Sequence, residues 1–270
     1  MRQQTQVYWA GAHSDSFSCS NGLRQGGVAS PILFSVYFDE LIKRLSNCGA
    51  GCHIQHFFTG ALAYADDVTL MAPSIQGLDA LVKECEVFAM EYSVTFNNKK
   101  TVCIALGERK PYKSEAIRLH GIPLTWCDEV KHLGNVITQS LSDGPDIHSK
   151  ANDFVKRVNS IQLNFRKAPR AVCNKLLDSQ SFFYGSQMWN LTHTRCIEKL
   201  HVQWRQSVRK LWNLPWCTRS HILHHLIHKM PFIDQLCTRF TKMYNAVKQG
   251  DNVITQLLIS VSGEHQGIIW

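Results

Sequence analysis

Residues 61–70, ALAYADDVTL, set two carboxylates side by side between short apolar runs. The pattern predicts a strand over Ala61–Tyr64, a turn at Ala65-Asp66-Asp67 and a second strand over Val68–Met71. Two like charges at the tip of a buried hairpin repel each other and lose hydration, so something positive is expected there. Adjacent residues on one strand point to opposite faces, but at a tip both carboxylates can reach the same side. Magnesium takes oxygen ligands and sits between one or two carboxylates and substrate phosphates. Two such ions, ~3.5–4 Å apart, can clamp the attacking and leaving oxygens of a phosphoryl transfer. Taken alone, the dipeptide reads first as a solvated Asp-Asp turn, and only its context favours a metal site.

Upstream, TQVYWAGAHSDSFSCS (5–20) reads as a short hairpin. The glycine-rich loop NGLRQGGVASP (21–31) follows. Ser30 and Pro31 are predicted to be the N-cap and first residue of a helix with Leu33, Val36, Tyr37 and Leu41 on one face. Downstream, Leu78, Leu81, Val82, Cys85, Phe88, Ala89 and Tyr92 have helical spacing, with Ser74 as the cap. VTFNNKKTVCIALG (94–107) predicts two extended pieces around Asn97-Asn98, and VKHLGNVI (130–137) a strand pair. Beyond residue 143 the patterns are helical, over 146–166, 170–189, 195–213 and 219–229. In 195–213, Ile197, Leu200, Trp204, Val208 and Leu211 form an apolar stripe, and Arg205 and Arg209 lie on another face near Lys199 and Lys210. The turn residues of SLSDGP put a boundary near Leu141–Pro145.

Charge follows the same division. Residues 1–140 carry 12 Lys/Arg against 13 Asp/Glu, and residues 141–270 carry 17 against 8. A basic second half suits a polyanionic partner, or is simply a basic surface. Ten scattered cysteines read as the free thiols of an intracellular protein. The start, MRQQTQVYWA, has no apolar secretory core, and no apolar run approaches the ~20 residues of a membrane helix. No partner in a membrane is expected.

The order of four motifs decides the reading. NGLRQGGVASPILF lies upstream of YADD, FNNKKT downstream, and HLG further on. Together they resemble the palm of reverse transcriptases, and most closely those of non-LTR, LINE-type retrotransposons. The resemblance implies an α+β fold: a partial palm of antiparallel sheet and helices over residues 1–140, then a basic all-helical thumb-like region over 141–270. It implies RNA-directed DNA polymerase chemistry, with an RNA template, a DNA primer and dNTPs as partners and Mg2+ as cofactor; the oligomeric state is left open. By resemblance, Asp66 and Asp67 are the metal-binding catalytic aspartates, Asp66 with the stronger claim. Arg24, Gln25, Gly26 and Tyr64 lie against nucleotide and template. Lys100, with Lys99 as a rival, is the proton donor to leaving pyrophosphate. His132, Leu133 and Gly134 form the hairpin that grips the primer end. A nuclear location is implied by the family alone, since there is no compact Lys/Arg run.

One palm element has no counterpart in the sequence: a strand with an aspartate that faces the Tyr-Ala-Asp-Asp hairpin and completes the two-metal cage. Asp15 sits in a Ser-rich turn and Asp39 on a helix, so neither suits that position. The fingers have no counterpart either. The chain therefore looks N-terminally truncated. It is expected to polymerise weakly or not at all by itself, because half a metal cage forfeits orders of magnitude in rate. The rival expectation is a non-catalytic remnant that binds nucleic acid. Cys48, Cys52, His53 and His56 carry zinc-type side chains, with a loop of free thiols as the alternative. His221, His224, His225 and His228 read as the polar face of a helix opposite Ile222, Leu223, Leu226 and Ile227. Trp204 reads as core, and Trp216, after Pro215, as an exposed ring free to stack on bases.

Overall fold

A computed structural model describes residues 3–19, 26–107, 116–179, 184–189, 194–227 and 231–257. It is a mixture of helices and short strands in two compact units: Met1–Phe96 with Ile117–Ile122, and Asn97–Ala116 with Pro123–Trp270.

In the first unit, Gln3–Thr5 pairs antiparallel with Phe17–Cys19, and Tyr8–Trp9 with Ala12–His13, as one long hairpin. Asp15 is exposed between them. Helix α1 spans Ser30–Asn47. Its N-cap is Ala29, which makes no side-chain hydrogen bond, so the expected cap Ser30 lies inside the helix. The expected face is also corrected. Phe38, Leu41 and Leu45 are buried, while Leu33 and Val36 are 54% and 68% exposed. Val28 and Ile32 extend that outward apolar strip.

Helix α2, Ile75–Tyr92, forms as expected, with Leu81, Val82, Cys85, Phe88 and Ala89 buried. The Gly77 amide donates to Ser74 Oγ at 3.1 Å, as a cap should. Burial pushes the Cys85 thiol up to about 12, with nearby Glu84 adding to it. Phe88 is the centre of the core. It stacks on Tyr92 with ring centroids 4.4 Å apart and meets Phe38 edge-on at 5.8 Å. The strand pair Arg118–Leu119 and Ile122–Pro123 returns to this unit; Leu119 is buried, and the His120 amide donates to Glu86.

In the second unit, Val102–Ile104 pairs parallel with Thr125–Cys127. Of the two extended pieces expected around Asn97, only Val102–Ile104 is a strand. Glu129–His132 pairs antiparallel with Asn135–Thr138, as the sequence predicts. Among the described residues every sheet has two strands, so their ladders do not merge into one broad sheet. The helices are α3 (Gly144–Asn164), α4 (Arg170–Ser179), α5 (Thr194–Trp212), α6 (Ser220–Leu226) and α7 (Phe232–Gln249). The helix expected over 170–189 stops at Ser179, and Ser186–Met188 is a separate 3-10 turn. The α5 stripe is buried as predicted, packed with Phe154, Val158, Leu223 and Phe232.

Two groups of polar side chains on these helices work inward. Arg209 donates twice to the Thr218 carbonyl, at 3.1 and 2.7 Å, and Arg205 donates to Ser220 Oγ at 3.2 Å. Lys210 donates to Asn159 Oδ1 at 2.7 Å. These cations therefore fasten the loop after α5 and its neighbours. The supposed polar histidine face is also divided: His221 and His225 are exposed, but His224 stacks on Trp204 with centroids 4.8 Å apart. His228 lies outside the described residues.

His201 stacks on Phe232 at 5.0 Å, and its pKa is lowered by burial first, then by Arg205 and His224. The folded state thus holds fewer protons on this ring than the unfolded chain does. Stability is full above the ordinary histidine pKa of ~6.5 and falls as pH drops through it. The midpoint of urea unfolding is expected to fall between pH 7.5 and 5.5. His201→Gln should flatten that dependence; an unchanged slope would remove His201 as its source.

Candidate nucleotidyl-transfer and primer-contact sites

Tyr64 pairs with Asp67 at the end of the hairpin Ala61–Tyr64/Asp67–Leu70, leaving Ala65 and Asp66 as its two-residue turn. Ala65 takes φ +50°, in the left-handed region. Asp66 and Asp67 are exposed, and Tyr64 is 67% exposed. The base of the hairpin is anchored: Ala61, Val68 and Leu70 join the core built on α1 and α2. The Met71 amide donates to the Gly60 carbonyl at 2.7 Å, and the Cys52 amide to the Met71 carbonyl at 2.9 Å. A firmly backed hairpin thus presents two carboxylates to solvent. Because both are exposed, the desolvation problem posed by the sequence does not arise.

Two hard oxygen donors side by side suit magnesium, which keeps several waters and takes few protein ligands. Among the described residues, no group of three or more His, Cys, Asp or Glu side chains could hold a metal ion. The acidic pair therefore belongs to no such group among the described residues. Cys48, Cys52, His53 and His56 form no such group either. Both imidazoles pack on rings instead, His53 against Phe58 and His56 against Phe57.

Of the expected nucleotide loop, Arg24 and Gln25 lie outside the described residues, and Gly26 is exposed with φ +78°. Lys100 and the His132-Leu133-Gly134 turn belong to the second unit. Asn97 shapes the Lys100 turn: its Oδ1 accepts the Lys99 and Lys100 amides at 3.0 and 3.3 Å, and Thr101 Oγ1 donates to its carbonyl at 2.9 Å. This leaves the Lys100 side chain exposed.

The Leu133-Gly134 turn has φ +45° and +79° and closes the ladder between His132 and Asn135. Behind it is a buried polar knot that sequence reasoning missed. Asn135 Nδ2 donates to the Leu133 carbonyl at 3.4 Å, and its Oδ1 accepts from Lys150 Nζ at 2.7 Å. Lys150 donates to Asp146 Oδ2 at 2.5 Å, and Trp189 Nε1 reaches the same oxygen at 2.7 Å. Asp146 Oδ1 accepts the Val136 amide at 2.8 Å. Asp146 and Lys150 are only 4% and 9% exposed. Gly185, at φ +76°, touches the knot so closely that a Cβ there would fall 1.9 Å from Asn135 Oδ1. The turn is thereby fixed to the first two turns of α3 and to the 185–189 segment. The spacing of Asp146 and Lys150 was legible as an i,i+4 pair. Its burial was not, because Asn135 and Trp189 come from elsewhere in the chain.

The family of reverse transcriptases (RNA-dependent DNA polymerases) matches residues 3–137, which span the loop at Gly26, the acidic hairpin and the Leu133-Gly134 turn. The chain belongs to the reverse transcriptase family. It is 22% identical over 254 residues to the "Probable RNA-directed DNA polymerase from transposon BS" of Drosophila melanogaster, covering 88% of the chain and 27% of that protein. It is 24% identical over 241 residues to the "RNA-directed DNA polymerase from mobile element jockey" of Drosophila funebris, covering 83% of the chain and 25% of that protein. A third relative is the "Retrovirus-related Pol polyprotein from type-1 retrotransposable element R2" of Popillia japonica: 24% identity over 229 residues, 82% of the chain and 37% of that protein. This reverse transcriptase chain thus spans between a quarter and two fifths of the length of these relatives. Each of these alignments runs well past residue 137, since each is longer than the family match itself.

Proposed function

We propose that the chain is the palm and thumb-like part of an RNA-directed DNA polymerase from a non-LTR, LINE-type retrotransposon, with the palm over residues 1–140 and the thumb over 141–270. The observation that carries this reading is the exposed Asp66–Asp67 pair on a firmly backed hairpin inside the family match. Asp66 and Asp67 would hold magnesium, which supplies positive charge to the phosphates of an incoming dNTP. Gln25 and Gly26 would lie against that nucleotide and the RNA template, with Arg24 on a phosphate and Tyr64 beside the acidic pair. Lys100 would protonate departing pyrophosphate. His132, Leu133 and Gly134 would hold the primer end so that its 3′-hydroxyl faces the α-phosphate. The basic helices would carry the duplex through its phosphates, with Trp216, 88% exposed, available to a base. An intracellular, nuclear location goes with this reading. Among the described residues no helix is long and apolar enough to cross a membrane.

A second reading is favoured by one specific observation: among the described residues no three His, Cys, Asp or Glu side chains cluster closely enough to hold a metal ion. On that reading the chain binds nucleic acid without chemistry. Primer extension on a primed RNA template, with magnesium, dNTPs and an Asp66→Asn control, separates the two. The expected result for this chain is retained duplex with incorporation orders of magnitude below that of a complete two-metal site. Robust incorporation that Asp66→Asn abolishes would sink the binding-only reading. Failure to retain duplex even at low salt would sink both.

A further inference from the structure

The Leu133-Gly134 turn is strained. Two-residue hairpin turns with positive φ at both positions are ordinarily built from Asn, Asp or Gly, and here Leu133 holds the first position at φ +45°. Such a backbone persists only where its surroundings over-determine it. Two side chains do so. Asn135 Nδ2 donates to the Leu133 carbonyl, and Asp146 Oδ1 accepts the Val136 amide on the strand that leaves the turn. Lys150 sets the first of these. An asparagine amide has an acceptor end and a donor end, and a cation selects the acceptor. Lys150 Nζ, 2.7 Å from Asn135 Oδ1, draws that oxygen inward and so aims Nδ2 at the Leu133 carbonyl. Asp146 Oδ2 anchors the cation, with the Trp189 ring beside it at 5.4 Å. Two separate elements, α3 and the segment that ends at Trp189, are thus committed to one amide orientation in the turn.

The use of charge here is informative. A buried ion pair adds little stability over apolar side chains of equal volume, because desolvation offsets the attraction. It does leave a single arrangement in which the Asn135 amide, the Val136 amide, Lys150 and Trp189 all find their partners. Apolar side chains would pack about as well against several positions of the turn. From this we infer that Asn135, Asp146 and Lys150 are positioning residues, which hold the Leu133-Gly134 turn in the one shape that accepts a primer 3′ end. They act from behind the turn, through its backbone. The inference rests on the reading of the 132–134 turn as a primer contact and adds to it the residues that let the turn select an open strand end over continuous duplex.

The test is binding of the full chain to two RNA–DNA duplexes of equal paired length, one with a recessed DNA 3′ end and one with both ends closed by loops. The native chain is expected to favour the open end. Lys150→Met and Asn135→Asp are each expected to reduce that preference by about 3- to 10-fold, the effect of one hydrogen bond, with binding to the closed duplex unchanged. Asn135→Asp is the sharper variant. It keeps the size of the side chain and still accepts from Lys150, but it has no donor for the Leu133 carbonyl. Val158→Ala, a core truncation on the same helix, should lower the midpoint of urea unfolding and leave the preference intact. Native preference in both Lys150→Met and Asn135→Asp would overturn the positioning role and leave the proposed function standing. Equal losses on the two duplexes would overturn it as well, since they mark a merely structural role. A native chain that binds both duplexes equally would instead overturn the reading of the turn as a primer contact, and this inference with it.

Discussion

Asp146→Ala is expected to destabilise the second unit by about 3–5 kcal/mol, the usual result of stripping one partner from a buried ion pair. The alanine leaves three donors without their acceptor: the Val136 amide, Lys150 Nζ and Trp189 Nε1. Lys150 would keep only Asn135 Oδ1 for a charge with little access to water. In a unit of this size the loss corresponds to a fall in Tm of roughly 6–20 °C. Lys150→Met should do less harm, because Asp146 retains two neutral donors. Adding Lys150→Met to Asp146→Asn should recover part of the asparagine variant's loss, since the orphaned charge is removed with it. Urea unfolding followed by tryptophan emission reads these effects, as Trp189 is buried in the knot itself. An Asp146→Ala midpoint within error of the native one would show that water reaches the knot and replaces the carboxylate.

The second large effect is expected from Phe88→Ala. Phe88 is fully buried between Phe38 and Tyr92, and truncation of such a ring costs about 3–5 kcal/mol through lost transfer and the void left behind. Phe88→Leu should cost well under half as much, because most of the volume is retained. The consequence reaches the acidic hairpin, since Ala61, Val68 and Leu70 share the same core. Far-UV circular dichroism during urea unfolding measures the stability loss. A Phe88→Ala midpoint equal to that of Phe88→Leu would mean that the core refills the void.

Periodicity located α2 and the α5 stripe because each has a single apolar face. It misplaced the face of α1 because that helix is apolar nearly all round: Ile32, Leu33, Phe34, Val36, Phe38, Leu41 and Ile42 fit two overlapping stripes. Which stripe is buried depends on where α2 packs, and no local pattern encodes that. Ser30 has a cap's chemistry, but the helix begins one residue earlier than its side chain would require. Helix α7 was not read at all. The acidic hairpin and the Leu133-Gly134 turn were legible because short turns carry their own residue signature. The knot behind the second turn was not, since Asn135, Asp146, Lys150 and Trp189 meet only through tertiary packing. The hydrogen bonds of Arg205 and Arg209, to a hydroxyl and a loop carbonyl, were not legible either, for the same reason.

The interleaving of the two units has a consequence for how such a chain can be recombined. The backbone leaves the first unit at Phe96, returns for Ile117–Ile122 and leaves again. Ile117 and Leu119 are buried on that return. A single crossover after Phe96 would strip this cover from the first unit. One after Ile122 would instead carry off Val102–Ile104, the parallel partner of Thr125–Cys127. Neither unit is an exchangeable cassette, and inheriting one of them intact from another element would take several exchanges where independent modules need one.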